Sequence, residues 1–291
     1  MRAHCVRFLM RFAKMQGVGN DFVVVDQAIA PPDMDWPAFA VRACDRHFGI
    51  GADGLLVIAV SAPRLAMRMF NPDGTEDMCG NGLRCAALWA YRGGWATAGK
   101  PFAVSTKEGE KTIVLNSVGP DCRSAVATVD MGGPRFDPAA VPFSIAGRDS
   151  LIDYPLAVDG AVLPVTSINT GSTHTVIFGD RPDEEAFRRL SAAIEVHPAF
   201  PERTSVMWAA PAGESAFDLR IWERGVGETL GCGTGACAVA VAARIGGLAG
   251  PAAPIAVRSR GGELQIDWPG PGRSIAMTGP AVFVYDGRLG V

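Results

Sequence analysis

The sequence predicts an α+β fold of two similar halves, each a sheet-rich unit around one buried helix, and three observations carry that expectation. A Cys-Gly-x-Gly box occurs twice, as Cys79-Gly80-Asn81-Gly82 and as Cys232-Gly233-Thr234-Gly235. Each box is followed by an Ala-rich apolar run, Leu83 to Tyr91 and Ala236 to Ala243, that reads as a helix whose first N–H groups point back at the box. The boxes stand 153 residues apart, about half of the 291-residue chain, and short alternating segments flank both. A duplicated sheet-plus-helix unit follows, with two helix N-termini facing one ligand.

In the first half, Phe22 to Val25 reads as a strand after the turn Gly17-Val18-Gly19-Asn20-Asp21. Asp35 is a suitable N-cap with Pro37 in the first turn, and Phe39, Val41 and Ala43 carry a helix to a stop at Gly49. The stretch Gly49-Ile50-Gly51-Ala52-Asp53-Gly54 satisfies G-x-G-x-x-G, yet a helix precedes it and the β-rich Leu55 to Val60 follows. A dinucleotide site needs the reverse order, so the stretch is a helix-to-strand turn. Leu65 to Phe70 alternates as a strand, Asn71-Pro72-Asp73-Gly74 is a turn, and Gly93-Gly94 ends the first box helix. Phe102 to Ser105, Lys111 to Leu115 and Ala125 to Asp130 complete the half as strands.

The second half repeats this order. Strands at Leu156 to Val158, Val162 to Ile168 and Thr175 to Phe178 precede a helix at Asp183 to Ile194, with Phe187, Leu190 and Ile194 on one face. Strands Ser205 to Ala209 and Asp218 to Trp222 lead to Glu223-Arg224-Gly225 and the second box, whose helix stops at Gly246-Gly247. Ile255 to Arg258, Glu263 to Trp268, Ser274 to Thr278 and Ala281 to Tyr285 read as the last strands. Residues 1–9 show no periodicity and are expected to be an extension or an upstream start.

The formal net charge of −3 favours neither nucleic acid nor anionic lipid as a partner. No apolar run reaches the roughly 20 residues of a spanning helix, and the N-terminus carries no signal-peptide pattern. Seven scattered cysteines in a chain of this size fit a reducing cytoplasm rather than a disulfide framework. Cys5, Cys44, Cys85, Cys122 and Cys237 are expected to be small packing residues.

Cys79 and Cys232 differ because each heads its own Gly-x-Gly turn. A helix N-terminus favours thiolate, which makes a cysteine there a base. Inverting a tetrahedral carbon takes two acid/base groups on opposite faces, one thiolate and one thiol, exchanging roles with direction. Removing a hydrogen alpha to a carboxylate also loads charge onto that carboxylate, which the N–H groups of Gly80, Asn81, Gly233 and Thr234 are placed to receive. The scheme calls for no cofactor and no metal.

The segments Phe12 to Phe22, Arg46 to Leu55, Phe70 to Cys85, Gly171 to His174 and Trp222 to Ala238 resemble diaminopimelate epimerase, in order and at family spacing, over essentially Met10 to Val291. The resemblance implies a cofactor-independent, two-cysteine isomerase acting on a small amino acid, LL-diaminopimelate to the meso form, for lysine and peptidoglycan synthesis. It implies two domains, each a barrel-like sheet around a central helix, at 10–127 plus 277–291 and at 128–276. Carried over by position, Cys79 and Cys232 are the epimerising pair, with Gly80, Asn81, Gly233 and Thr234 on the reacting carboxylate. Asn20, Asn71, Glu223 and Arg224 match residues that recognise the rest of the substrate, and His174 and Glu223 match polar residues near the cysteines. A homodimer is the assembly to test.

Two positions depart from the family pattern. Ser172 stands where Asn-Pro-His commonly begins, and Ser205 where an Asn commonly follows the Phe-Pro segment. In the family both asparagines help grip the distal end of the substrate, so the resemblance implies that role for these positions, where a serine has one hydroxyl in place of an amide donor and acceptor. They motivate a rival, a racemase of the same mechanism acting on another amino acid such as histidine. A non-catalytic binding protein or a thiol redox protein is the reading from another class, and the chain has no Cys-x-x-Cys to support the latter.

Overall fold

The computed structural model describes residues 9–61, 64–250 and 253–290. Its contacts divide the chain into two units, Met1–Val129 with Pro280–Val291, and Asp130–Gly279. The architecture is α+β.

In the first unit, β1 (Leu9–Gly17), β2 (Asn20–Asp26), β3 (Gly54–Ser61), β4 (Arg64–Phe70), β6 (Pro101–Thr106), β7 (Gly109–Val118) and β8 (Ser124–Asp130) pair in succession, and β5 (Glu76–Asp77) adds a short rung to β4. The circuit closes through β17 (Ala276–Gly290), which pairs with both β8 and β1. Helix α2 (Gly80–Arg92) runs inside this eight-stranded barrel against β1, β2, β3, β4 and β7. A helix walled in by strands can carry few bulky side chains, which accounts for its Gly and Ala content. Helix α1 (Trp36–Cys44) lies outside, its Trp36, Phe39, Ala40 and Ala43 packed with Val23, Val25, Leu55, Val57 and Phe70.

In the second unit, β10 (Ala161–Asn169), β11 (Thr173–Phe178), β12 (Ser205–Pro211), β13 (Ala216–Glu223), β15 (Ile255–Ser259) and β16 (Gly262–Asp267) repeat the pairing of β1, β2, β3, β4, β6 and β7, including the parallel steps between second and third and between fourth and fifth strands. β14 (Gly227–Thr229) repeats β5, and residues 276–278 of β17 repeat β8. β9 (Tyr154–Val158) pairs with β10. Backbone at residues 131–135 takes the closing place: Met131 and Gly132 exchange 2.9 Å hydrogen bonds with Ile275, and Arg135 does so with Asn169. Helix α4 (Gly233–Ile245) is enclosed by β10, β11, β12, β15 and β16, and α3 (Glu184–Glu195) packs outside with Phe187, Leu190 and Ile194 in a second core cluster.

The repeat extends to side chains. Arg68 grips Glu76 with two hydrogen bonds of 2.9 and 2.7 Å, and Arg220 grips Glu228 with two of 2.9 and 3.1 Å, at corresponding places on β4–β5 and β13–β14.

Some elements differ from the sequence expectation. Helix α1 ends at Cys44, well before Phe48, because Asp45 takes an extended ψ of 123° and its Oδ1 accepts from the N–H groups of His47 and Phe48, stopping the helix with its own side chain. The two strands expected at Ser274 to Thr278 and Ala281 to Tyr285 are one, β17. Pro280 sits where the ladder with β16 gives way to the ladder with β1, so its missing N–H costs neither of them a bond. Strands β1, β5 and β14 have no counterpart among the strands read from the sequence. Cys44, Cys85 and Cys237 pack as expected, whereas Cys122 is half-buried in a turn at φ 55°. Cys5 and residues 1–8 lie outside the described residues.

Candidate active site

Helices α2 and α4 begin alike. Cys79 and Cys232 are their N-caps, extended at φ −139° and −129° with ψ 115° and 114°. Each Sγ accepts the N–H of the third residue on, Gly82 or Gly235, at 3.4 Å. The first intrahelical bonds run from Leu83 to the Cys79 carbonyl and from Ala236 to the Cys232 carbonyl, both 3.0 Å. The N–H groups of Gly80, Asn81, Gly233 and Thr234 therefore lie ahead of the ladder and point out of the helix ends.

Glycine at the third box position leaves room for a side chain of the barrel wall, which a Cβ there would displace. A Cβ on Gly82 would meet Leu56 Cδ2 at 2.9 Å, and one on Gly235 would meet Met207 Sδ at 2.5 Å. Leu56 on β3 and Met207 on β12 are corresponding residues by strand register, so each barrel wall presses on its helix start at the same place.

Around Cys79 the first unit gathers two of the expected residues, Asn20 and Asn81. Asn20, at the start of β2, receives a hydrogen bond on Oδ1 from Asn81 Nδ2 at 3.2 Å and from Cys79 Sγ at 3.6 Å. Its own Nδ2 donates to Asp53 Oδ2 at 2.9 Å. Asp53 in turn takes Arg46 Nη2 at 2.6 Å and the Asp21 N–H at 3.0 Å. Lys14 pairs with Asp21 at 2.5 Å and also donates to the Gly51 carbonyl. Burial raises the Asp21 carboxyl, but the hydrogen bonds of Arg46 and Lys14 prevail and hold it at about 2. Asn71 keeps to its turn, where its Nδ2 donates to Thr75 Oγ1 at 3.0 Å.

The second unit equips Cys232 differently. Its Sγ is 3.4 Å from Thr234 Oγ1, and the Thr234 carbonyl accepts from Thr170 Oγ1 at 2.7 Å. Strand register places Ser172 opposite Asn20 in the repeat and Glu223 opposite Asn71. Glu223 Oε1 accepts from Thr229 Oγ1 at 2.5 Å. Ser205 Oγ accepts the Arg224 N–H at 3.1 Å, and Arg224 Nη1 donates to the Glu202 carbonyl at 3.0 Å. Ser172 Oγ lies 3.0 Å from Nε2 of His174, which is fully buried and whose Nδ1 has no hydrogen-bond partner among the described residues. Burial, with the Arg224 charge adding to it, lowers His174 to about 3, so the ring is neutral at working pH and brings no positive charge to the site.

Asp53, Arg84 and Lys14 carry no local sequence pattern that marks them as neighbours of Cys79. Asp53 lies inside the Gly49–Gly54 stretch, which satisfies a nucleotide-loop pattern, and Arg84 lies inside the first box helix. Its only sequence signal is position: it falls one turn into a helix whose other early residues are small or apolar, and it is fully buried.

A family model described as diaminopimelate epimerase matches residues 12–136 and 166–284. The diaminopimelate epimerase of Pelotomaculum thermopropionicum is 40% identical over 285 residues, 96% of this chain and 98% of that protein. That of Pseudomonas entomophila is 41% identical over 285 residues, 97% and 99% of the two chains. Among solved structures, a hydroxyproline epimerase from Agrobacterium vitis with bound trans-4-hydroxy-L-proline aligns with a TM-score of 0.67 at 16% identity, covering 97% of this chain and 91% of that one. A phenazine biosynthesis protein of Bacillus anthracis aligns at 0.67 with 14% identity, covering 97% and 99%. At such identity these two structures speak to the fold alone.

Proposed function

The chain belongs to the diaminopimelate epimerase family, an isomerase family, and from that premise we propose that it inverts the alpha carbon of LL-diaminopimelate to the meso form with Cys79 and Cys232 as the acid/base pair. The single observation that supports this most is the shared cap geometry: both thiols sit at a helix N-terminus with a backbone N–H on sulfur at 3.4 Å. A donor on sulfur and the positive end of a helix both favour thiolate, the form that takes up a proton. In the proposed cycle one thiolate removes the alpha proton, the charge passes to the adjoining carboxylate, and the other thiol returns a proton on the opposite face. The N–H groups of Gly80, Asn81, Gly233 and Thr234 are assigned to that carboxylate.

Asn20, Asn71, Glu223, Arg224, Ser172 and Ser205 are assigned to the rest of the substrate, with His174 supporting Ser172. A second reading, inversion of another amino acid such as histidine, is favoured by the two serines, because each already shares its oxygen, Ser205 with the Arg224 N–H and Ser172 with His174. A homodimer in the cytoplasm is the proposed setting, to be checked by light scattering and fractionation.

Replacing either cysteine by alanine is expected to abolish inversion of LL-diaminopimelate by reduced protein while the melting temperature stays near wild type. Near-normal turnover in Cys79→Ala or Cys232→Ala would end the two-thiol reading. A wild-type protein that inverts histidine but not diaminopimelate would keep the mechanism and change the substrate.

A further inference from the structure

Asn20 meets Cys79 through its carbonyl oxygen, and the reason lies in its neighbours. An amide side chain has a donor end and an acceptor end of nearly equal size, so its facing is set by what each end touches. Asp53 offers Asn20 a carboxylate, which accepts only, at 2.9 Å from Nδ2. On the other side Asn81 Nδ2 donates to Asn20 Oδ1 at 3.2 Å, and Asn81 has its own facing imposed by Arg84, whose Nη2 donates to Asn81 Oδ1 at 2.8 Å. A guanidinium donates only, and Arg84 is fully buried with Nε on the Pro280 carbonyl at 3.1 Å. Two amides in series thus run from a fixed acceptor to a fixed donor. All of these residues belong to the first unit.

We propose that Asp53 is a positioning residue for Cys79: by holding Asn20 Nδ2, it keeps the Asn20 carbonyl oxygen on the Cys79 thiol. An acceptor there binds S–H and not S⁻, so the contact counterweighs the helix N-terminus and the Gly82 N–H, which favour thiolate. Cys79 is thereby kept able to deliver a proton as well as to take one. The catalytic consequence rests on the acid/base assignment of Cys79, but the contact itself does not.

The alternative role for Asp53 is a purely structural ion pair with Arg46, 2.6 Å away. The two roles respond differently to Asp53→Asn, which keeps an acceptor for Asn20 and discards the charge that Arg46 needs. Iodoacetamide labelling of Cys79 at neutral pH, followed by peptide mass spectrometry, reads the thiolate directly. Cys85, on the same helix and fully buried, reports any general loosening. Asp53→Ala is expected to speed labelling of Cys79 relative to Cys85 by about three- to tenfold, the range that loss of one hydrogen bond spans. Asp53→Asn is expected to remain within about twofold of wild type. Asp53→Leu, with the same branching and number of side-chain heavy atoms and without an acceptor, should match the alanine variant and serves if that variant fails to fold. Equal acceleration in the Asn, Ala and Leu variants, or parallel acceleration of Cys79 and Cys85, would overturn the proposal. Because labelling needs no turnover, either result stands apart from whether Cys79→Ala is inactive.

Discussion

Cys79 and Cys232 differ from Cys44 and Cys85 in what surrounds sulfur, not in residue type. Burial pushes the Cys44 and Cys85 thiols up to about 12, where they stay protonated and inert, while the two cap cysteines each hold a backbone N–H. This division was legible in the sequence because a Gly-x-Gly turn after a cysteine implies a helix start and a core cysteine lacks one. The supporting residues were not legible in the same way: Asp53 reaches Asn20 across 33 positions, and no local pattern encodes a partner that far away. His174 carries a pH prediction. Its folded value, about 3, lies below the ordinary 6.5, so the unfolded chain takes up the proton first. The stability this confers is complete above 6.5 and is lost as pH falls toward 3. Urea unfolding between about pH 7 and pH 5 should therefore show a slope approaching ~1.4 kcal/mol per pH unit from this residue, and His174→Gln should remove that part of the slope. An unchanged slope in the variant would contradict the burial of a neutral ring.

Among the elements, the two box helices were foreseen with their stops, since Gly93 and Gly246 cap them and the following glycines adopt φ of 78° and 69°. Helix α1 was expected to continue to Phe48 because a glycine stop at Gly49 was the visible signal. The actual terminator, the Asp45 side chain turning back onto the next two N–H groups, competes with helix through a hydrogen bond that residue type alone does not announce. The close approach of β12 to α4 makes the glycine at 235 demanding. Gly235→Ala should displace Met207 and cost about 1–3 kcal/mol in chemical denaturation, as overpacking does. Adding Met207→Ala should recover part of the loss by vacating that space, whereas a fully additive double variant would show that the clash is not the cause.

At the scale of the whole molecule, the duplication inferred from two boxes proves to run through ten successive elements, the parallel and antiparallel sense of each pairing, and the twin Arg–Glu forks on β4–β5 and β13–β14. The sequence exposed the helix starts but not the forks, since Arg68 and Arg220 sit in strands of unlike sequence. What the repeat does not share is the side chain that meets each sulfur. Asn20 Oδ1 accepts from Cys79, while the Thr234 hydroxyl, able to donate or accept, stands at Cys232. Two like scaffolds with unlike partners suit a reaction in which one thiol takes a proton and a separate thiol gives one.

The most direct test of that claim is solvent deuterium incorporation during the first turnovers of LL-diaminopimelate in D₂O. Two separate thiols predict label at the alpha carbon of the meso product and none in the recovered LL substrate. Label appearing equally in both from the start, or in neither, would contradict inversion by the Cys79–Cys232 pair.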